Sequence, residues 1–168
     1  MDIVLKRLDP YGWHLVTAVE LDPEQENFAG GPIEKVLHGL RTGPHQDARH
    51  LFAIYIDDEI IGFLALREGL ALPVWAYKNA MTLHSFRVTK SMQGKGYGTA
   101  ALRLAACWIG SNRPDVRHLM LTVNAENPQA SALYLRCGFR NTGTIFQGRI
   151  GRERVLCCDI DVLASHPG

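Results

Sequence analysis

Three glycines fall within five positions in the middle of the chain, at Gly94, Gly96 and Gly98. The segment lies between a predicted strand and a predicted helix. Its backbone is therefore free to approach a ligand closely where the N–H groups of a new helix are exposed. Such a loop predicts a cradle for an anionic pyrophosphate. Lys95 and Arg87 would add positive charge there, although full solvation explains such basic side chains equally well.

Other glycine-rich loops fit this segment poorly. A Walker loop requires a lysine between its last glycine and the following Ser or Thr, and here Thr99 follows Gly98 directly. A dinucleotide fingerprint requires G-x-G-x-x-G in an early βαβ unit, whereas this spacing is G-x-G-x-G in mid-chain. A purely structural loop remains an alternative on this segment alone.

Hydrophobic spacing predicts the element order βααβββαβαββ, which implies α/β layering around a mixed, mostly antiparallel sheet. Helices are expected from Pro10 through Val19, at Ile33 to Leu40, at Thr99 to Ile109, and between the cap Asn127 and Gly138. Strands are expected at Ile3 to Leu8, Leu51 to Ile56, Ile60 to Leu66, Met81 to Val88, His118 to Val123, Phe139 to Phe146 and Arg154 to Val162. The segment from Leu21 to Pro32 is expected to interrupt the regular secondary structure.

The 168 residues describe one domain, and the formal net charge is only +1. This balance argues against nucleic acid as a partner. Residues 1–86 hold 7 basic and 12 acidic side chains (−5), whereas residues 87–168 hold 11 and 5 (+6). With no long apolar span and no signal peptide, the sequence predicts a cytoplasmic protein without a membrane partner. The four cysteines are expected to be reduced, and no histidine spacing suggests a metal.

The pattern Gln93-x-x-Gly96-x-Gly98 resembles the Q/R-x-x-G-x-G/A motif of the Gcn5-related N-acetyltransferases (GNAT family). A second match follows at the family's spacing: Leu121-Thr122-Val123, then Asn127, Ala130, Leu133-Tyr134 and Gly138-Phe139. The resemblance implies one acetyltransferase domain over residues 1–168. Its acceptor-side helices lie at about residues 10–42, and its acetyl-CoA core lies at about residues 81–143. It also implies that the strands at residues 81–88 and 118–123 splay apart around the pantetheine arm.

The resemblance implies acetyl-CoA as co-substrate and assigns residues to it. The pyrophosphate would bind the backbone around Gln93, Gly94, Lys95, Gly96, Tyr97, Gly98 and Thr99, and pantetheine would pair with Phe86, Arg87 and Val88. Asn127, Ala130 and Tyr134 share one helix face that would line the cofactor. Helix capping alone also explains Asn127.

The resemblance makes Tyr134 the general acid that protonates the departing thiolate, although a core aromatic residue is the alternative. The family often places a base nine residues before the glutamine, and that position is His84, in place of the commoner Glu. A hydrogen-bonded strand residue, with ordered water as the base, is equally compatible with His84. Cys137 is interpreted as core, so direct attack by the amine in a ternary complex is expected.

The acceptor is the least constrained part of the sequence. Glu20, Asp22, Glu24 and Glu26 form an acidic run that would attract a cationic amine, although such runs are most often solvated. The segment 21–28 resembles that of bacterial spermine/spermidine acetyltransferases, so a polyamine-like small molecule is the leading hypothesis. Acetylation of a peptide or protein, and a non-catalytic CoA-binding module, remain open. The resemblance also implies a homodimer, for which residues 155–162 would supply a pairing strand.

Overall fold

The seven strands of this computed structural model, which describes residues 2–9 and 11–167, form one sheet in the order β1-β2-β3-β4-β5-β7-β6. Every neighbouring pair is antiparallel except β4 and β5, which are parallel. The mixed, mostly antiparallel sheet predicted from the sequence is confirmed. The strands are β1 (Ile3–Arg7), β2 (Arg49–Ile56), β3 (Glu59–Arg67), β4 (Met81–Val88), β5 (His118–Asn124), β6 (Arg140–Gly148) and β7 (Gly151–Asp159).

Helices cover both faces of this sheet. They are α1 (Pro23–Phe28), α2 (Ile33–Thr42), α3 (Tyr97–Asn112), α4 (Pro128–Arg136) and α5 (Ile160–Ala164). The α3 helix buries a small-residue stripe against the larger core cluster, and α2 packs Leu37 and Leu40 into a second cluster with Phe63. Because side chains alternate along each strand, one face of β2 and β3 meets α3 and the other meets α2.

The two parallel strands separate soon after they begin. Pairing between β4 and β5 is confined to Met81 with Leu119 and Thr82 with Met120. Beyond Thr82, the edge of β4 that faces β5 has no strand partner, so its backbone groups are available to a ligand. This opening is the splay that the family resemblance implied.

A bulge changes the direction of β4 at the same place. Ser85 has a φ of 54°, and the register with β3 shifts between Phe63 and Ala65. A β-bulge of this kind re-aims the side chains that follow it. Gly62 permits the close approach of the two strands, because a Cβ there would lie 2.4 Å from the carbonyl oxygen of Arg87.

Two predicted segments differ from the structure. Residues Trp13–Ala18 form a short 3-10 helix, and the start predicted at Pro10 lies outside the described residues. The segment from Leu21 to Pro32, where regular structure was predicted to be interrupted, contains α1. The residue before Pro23 is extended, and the helix begins at Pro23. Pro at the first helical position is compatible with a helix, so the break was overestimated.

The last strand also differs from its prediction. It ends at Asp159, and residues 160–164 form α5. Because β7 pairs with β5 on one side and β6 on the other, it has no free edge for a partner. The dimer contact predicted through residues 155–162 is therefore wrong as a strand pairing, while dimerisation itself stays a prediction. Within residues 2–9 and 11–167, no helix is long and apolar enough to span a membrane.

Candidate active site

Two cavities meet in the gap between β4 and β5. The first, the glycine-loop cleft, has a volume of about 350 Å³ and runs from α1 past the glycine loop to α4. The second, the arginine cavity, has a volume of about 540 Å³ and includes Arg49 and Arg67 in its lining. Residues lining both are Phe28, Ala29, Phe86, Thr122 and Tyr134. A molecule in one cavity would therefore reach a molecule in the other at Tyr134.

The glycine loop and the start of α3 form the polar end of the cleft. Gly94 and Gly96 have φ of 75° and 85°, which favours glycine at both positions. The first helical hydrogen bond of α3 runs from the N–H of Ala100 to the carbonyl of Gly96, at 3.1 Å. The N–H groups before Ala100 thus have no partner within the helix, and they would bind the oxygens of an anion.

The α4 helix supplies the opposite wall of the cleft. The Asn127 side chain accepts a hydrogen bond from the N–H of Ala130 at 3.3 Å, and Pro128 occupies the first turn. Asn127 is therefore a helix cap, and it lines the cleft together with Ala130. The cap fixes the start of the helix that carries Tyr134 into the junction.

Tyr134 is 9% exposed and lies edge-on to Phe139, with ring centroids 5.6 Å apart. Within residues 2–9 and 11–167, its hydroxyl forms no hydrogen bond. Burial, followed by the neighbouring Cys137, raises the pKa of Tyr134 well above its usual range. The phenol consequently stays protonated at neutral pH and can donate its proton only to a group that enters the junction.

His84 lines the arginine cavity from β4. Its Nε2 and the Thr82 hydroxyl are 2.6 Å apart, and the ring of Trp75 lies 6.2 Å away by centroids. Burial, and then the charges of Arg67 and Arg49, hold the pKa of His84 well below 6.5. The imidazole is therefore neutral at physiological pH. In the tautomer that donates its Nε2–H to the Thr82 hydroxyl, the Nδ1 lone pair is available as a proton acceptor.

The arginine cavity contains charged residues that the sequence analysis missed. Arg49 and Arg67 are register partners on β2 and β3, and each has a buried Nε without a hydrogen-bond partner. Glu153 enters the cavity from β7 and accepts a hydrogen bond from Thr122 at 3.2 Å, and burial raises its pKa. A signal for the arginines was present, because the hairpin register places Arg49 opposite Arg67.

The whole chain resembles known acetyltransferases. Residues 13–139 match the model of the acetyltransferase (GNAT) family. The N-acetyltransferase YbbJ of Bacillus subtilis strain 168, described as uncharacterized, is 32% identical over 161 residues, which cover 92% of this chain and 96% of YbbJ.

The chain belongs to the GNAT family.

Solved structures of the family share its fold at low identity. AAC(6′)-Ib in complex with ribostamycin and coenzyme A has a TM-score of 0.78 at 13% identity, covering 100% of this chain and 99% of that one. A spermidine N-acetyltransferase from Vibrio cholerae, with coenzyme A and spermine, has a TM-score of 0.73 at 17% identity, covering 96% and 97%. The family match and the similarity to YbbJ, rather than these structures, identify the chain as an acetyl-CoA-dependent N-acetyltransferase.

The GNAT resemblance named cofactor residues, and the cleft brings most of them together. Those lining it are Phe86, Arg87, Val88, Gln93, Gly94, Gly96, Gly98, Thr99, Asn127, Ala130 and Tyr134. Lys95 and Tyr97 do not line either cavity: Lys95 is exposed and the Tyr97 ring packs against the core. The backbone N–H of Tyr97 still belongs to the free first turn of α3.

The expectation that the Arg87 side chain adds charge at the pyrophosphate site was wrong. The guanidinium donates to the carbonyls of Ala29 at 2.5 Å, Gly31 at 3.2 Å and Ser85 at 3.3 Å. Arg87 is 3% exposed, and its burial lowers its pKa to about 10. The bulge turns this side chain toward α1, so it holds the loop after α1 rather than a phosphate.

Gln93 has a similar tethering contact. Its side-chain Nε2 donates to the carbonyl of Val88 at 2.9 Å, and its amide pairs with that of Gln25 on α1 at 2.9 and 3.2 Å. The signature glutamine of the family motif thus joins the glycine loop to both β4 and α1 in this chain.

The structure does not bring the predicted acceptor residues Glu20 and Asp22 into the site. Neither lines the glycine-loop cleft or the arginine cavity. Asp22 forms an exposed ion pair with Lys90 at 2.7 Å, and the backbone of Glu20 pairs with Thr89 and Lys90. These contacts fasten the entry of α1 to the end of β4. The assignment of the two carboxylates to substrate binding gains no support from these contacts and stays a prediction.

Proposed function

We propose that this chain transfers the acetyl group of acetyl-CoA directly to the primary amine of a small molecule. Acetyl-CoA would occupy the glycine-loop cleft, and the amine would occupy the arginine cavity. The observation that carries this proposal is the position of Tyr134, which lines both cavities and has an unpaired hydroxyl. Two substrates held at this junction would react in a ternary complex.

Each wall of the cleft supports one part of the donor. The free N–H groups at the start of α3 would bind the pyrophosphate oxygens. The unpaired edge of β4 around Phe86 and Val88 would pair with the amide groups of pantetheine, as one strand pairs with another. These contacts would direct the thioester toward Tyr134.

The reaction needs one proton acceptor and one proton donor. The amine nitrogen attacks the thioester carbonyl carbon, the new C–N bond forms and the C–S bond breaks. Neutral His84, directly or through water, would take the proton that the amine loses. Tyr134 would give its proton to the departing thiolate, and solvent would then restore both groups.

Cys137 does not fit a covalent route. The thiol is fully buried at the end of α4, and its sulfur lies 3.8 Å from the hydroxyl of Thr99. Burial raises its pKa, so the thiolate required of a nucleophile is disfavoured. We infer that no acetyl-cysteine forms on the pathway.

The size of the arginine cavity favours a small molecule over a polypeptide, because about 540 Å³ is typical of ligand-sized sites. Neighbouring folds act on aminoglycosides and spermidine, which supports a small amine in general. Glu20 and Asp22 lie outside both cavities, so the acidic run supplies no contact within the site that supports the polyamine hypothesis.

Substituting Tyr134→Phe tests the central assignment. Loss of a general acid is expected to lower kcat by about 10²-fold or more, while calorimetric affinity for acetyl-CoA stays within about twofold. Tyr55→Phe is the matched control, because Tyr55 lines neither cavity, and it should keep full activity. Unchanged turnover in Tyr134→Phe would refute the general-acid role. Acetyl-CoA binding with no thiol release on any amine would favour a binding module.

A further inference from the structure

The arginine cavity has an unusual charge arrangement for a site that receives an amine. Lys35, Arg49, Arg67 and Glu153 are the charged side chains in its lining, besides neutral His84. The basic groups come from β2, β3 and α2, and the acidic group comes from β7. A purely cationic acceptor such as a polyamine would meet net repulsion from this wall.

The two arginines are held together without a compensating anion. They are directly opposite each other on paired strands, a placement that costs free energy for like charges. Among residues 2–9 and 11–167, neither guanidinium has a hydrogen bond or an ion pair. Buried donors without partners are uncommon in folded proteins and call for an explanation.

Local structure explains only part of this arrangement. Arg49 packs over Gly43 at the C-terminal end of α2, where a Cβ would lie 2.7 Å from its Nη1. That helix end attracts a cation and accounts for the position of Arg49. It does not account for Arg67, whose pKa is lowered by burial and by the charge of Arg49. Two forked donors aimed into one cavity suit a shared oxyanion.

We propose, on the basis of the function proposed above, that the acceptor amine carries a carboxylate or another oxyacid group that binds between Arg49 and Arg67. Its ammonium end would lie toward Glu153, which lines the same cavity from β7, on the other side of β4 and β5 from the arginines. The acceptor class is therefore an amino acid or a related zwitterion. Lys35 at the exposed rim would attract such a molecule during entry.

Matched acceptors test this inference through thiol release from acetyl-CoA. Phenylalanine, methionine, lysine and glutamate would each be compared with their primary amides, and 2-aminoethylphosphonate and spermidine would complete the panel. We expect kcat/KM for at least one free amino acid to exceed that for its primary amide by about tenfold or more, or kcat/KM for 2-aminoethylphosphonate to exceed that for spermidine by the same factor. The comparison is conservative, because an amide lowers the basicity of the neighbouring amine and leaves more of it unprotonated.

Arginine variants decide whether the cavity causes that preference. Arg49→Gln and Arg67→Gln should each bring the ratio of acid to amide close to one, and Arg49→Lys should retain part of it. Arg154→Gln is the control, because Arg154 neighbours Glu153 but lines neither cavity, and it should keep the full ratio. Circular dichroism and acetyl-CoA binding would confirm that each variant is folded.

The two proposals fail in different ways. The oxyacid inference would be overturned if amides or spermidine were acetylated as fast as the free acids. It would also be overturned if both Gln variants retained the preference for acids. Either result would leave the proposed acetyltransferase activity intact. Absence of turnover with every amine would contradict the proposed function. Calorimetry in the presence of CoA would then measure the binding of the N-acetyl derivatives of the same acids and amides. Binding of the N-acetyl acids that Arg67→Gln abolishes would support the inference. Equal binding of acids and amides, or no binding of either, would overturn it.

Discussion

The two cavities that meet at Tyr134 are encoded in different ways. The lining of the glycine-loop cleft comes mostly from two segments, residues 86–99 and 122–136, with α1 closing it. The arginine cavity draws on β2, β3, β4, β5, β7 and α2, so residues far apart in sequence share its wall. A local motif therefore specifies the donor site, whereas only the sheet register specifies the acceptor site.

This difference matches the chemistry of the two substrates. A pyrophosphate can be bound by backbone N–H groups, so the donor site requires glycines and a helix start more than particular side chains. An acceptor is distinguished by side-chain charge and shape. The side chains of the arginine cavity can change without disturbing the glycine loop, which permits one donor site to serve different acceptors.

Arg87 offers the strongest way to separate the two regions. Arg87→Met would leave the buried carbonyls of Ala29 and Gly31 without donors, and we expect a loss of about 3 kcal/mol in the free energy of unfolding. Because these carbonyls belong to the loop after α1, the KM for the amine should rise more than the KM for acetyl-CoA. Urea denaturation and steady-state kinetics would measure both effects.

Arg87→Lys is the matched variant, since it keeps the charge but only one of the donor positions. Its loss of stability should be smaller than that of Arg87→Met. An equal rise in both KM values in Arg87→Met would contradict the separation, because it would mean that this tether supports the two cavities alike.

The sequence was sufficient for the sheet and for α4, and the reasons are physical. Alternating apolar runs gave the strands, and the Asn127 cap with Gly138 marked the helix that carries Tyr134. The arginine cavity was not predicted, because Arg49 begins one apolar strand and Arg67 ends the next, so each looks like an ordinary polar boundary when considered singly. Their meeting is visible only once the hairpin is paired.

For Arg87 and the acidic run, in contrast, the sequence analysis assigned to the site charged residues whose contacts lie elsewhere. Charge near a predicted site was assigned to that site, although direction depends on backbone detail. The bulge at Ser85 turns Arg87 toward α1, and the turn before α1 pairs Asp22 with Lys90. Neither event follows from composition or spacing, since both depend on contacts between distant segments.

The buried histidine provides an intermediate effect that depends on pH. The pKa of His84 is lower in the folded chain than its unfolded value of 6.5, so the unfolded chain binds the additional proton. Stability should therefore fall as pH drops below 6.5, by at most about 1.4 kcal/mol per pH unit from this group. His50, whose pKa burial also lowers, contributes in the same direction, whereas Glu153 opposes it at the acidic end.

Substituting His84→Gln should flatten this dependence between pH 6.5 and 5, as measured by urea denaturation at each pH. The remaining slope would then be assigned to His50 with the His50→Gln variant. Arg67→Gln should flatten the wild-type slope partly, because removing a neighbouring positive charge raises the pKa of His84. A slope that His84→Gln leaves unchanged would show that the imidazole is as easily protonated in the folded chain as in the unfolded one.

The smallest effect is expected from the acidic run. Its contribution tests whether the acceptor is recognised by the cavity wall or by the surface around it. Replacing Glu20, Glu24 and Glu26 by Gln together with Asp22 by Asn removes four charges, none of which lines either cavity. Exposed charges outside the cavities are screened by salt and attract a charged acceptor only weakly, so kcat/KM for the best acceptor should change by less than about threefold. Glu153→Gln, made in parallel, should produce the larger rise in KM because its carboxylate lies in the cavity. If the fourfold variant instead reduced turnover of a cationic amine strongly at low salt, the acceptor would be recognised by the surface charge rather than by the arginine cavity.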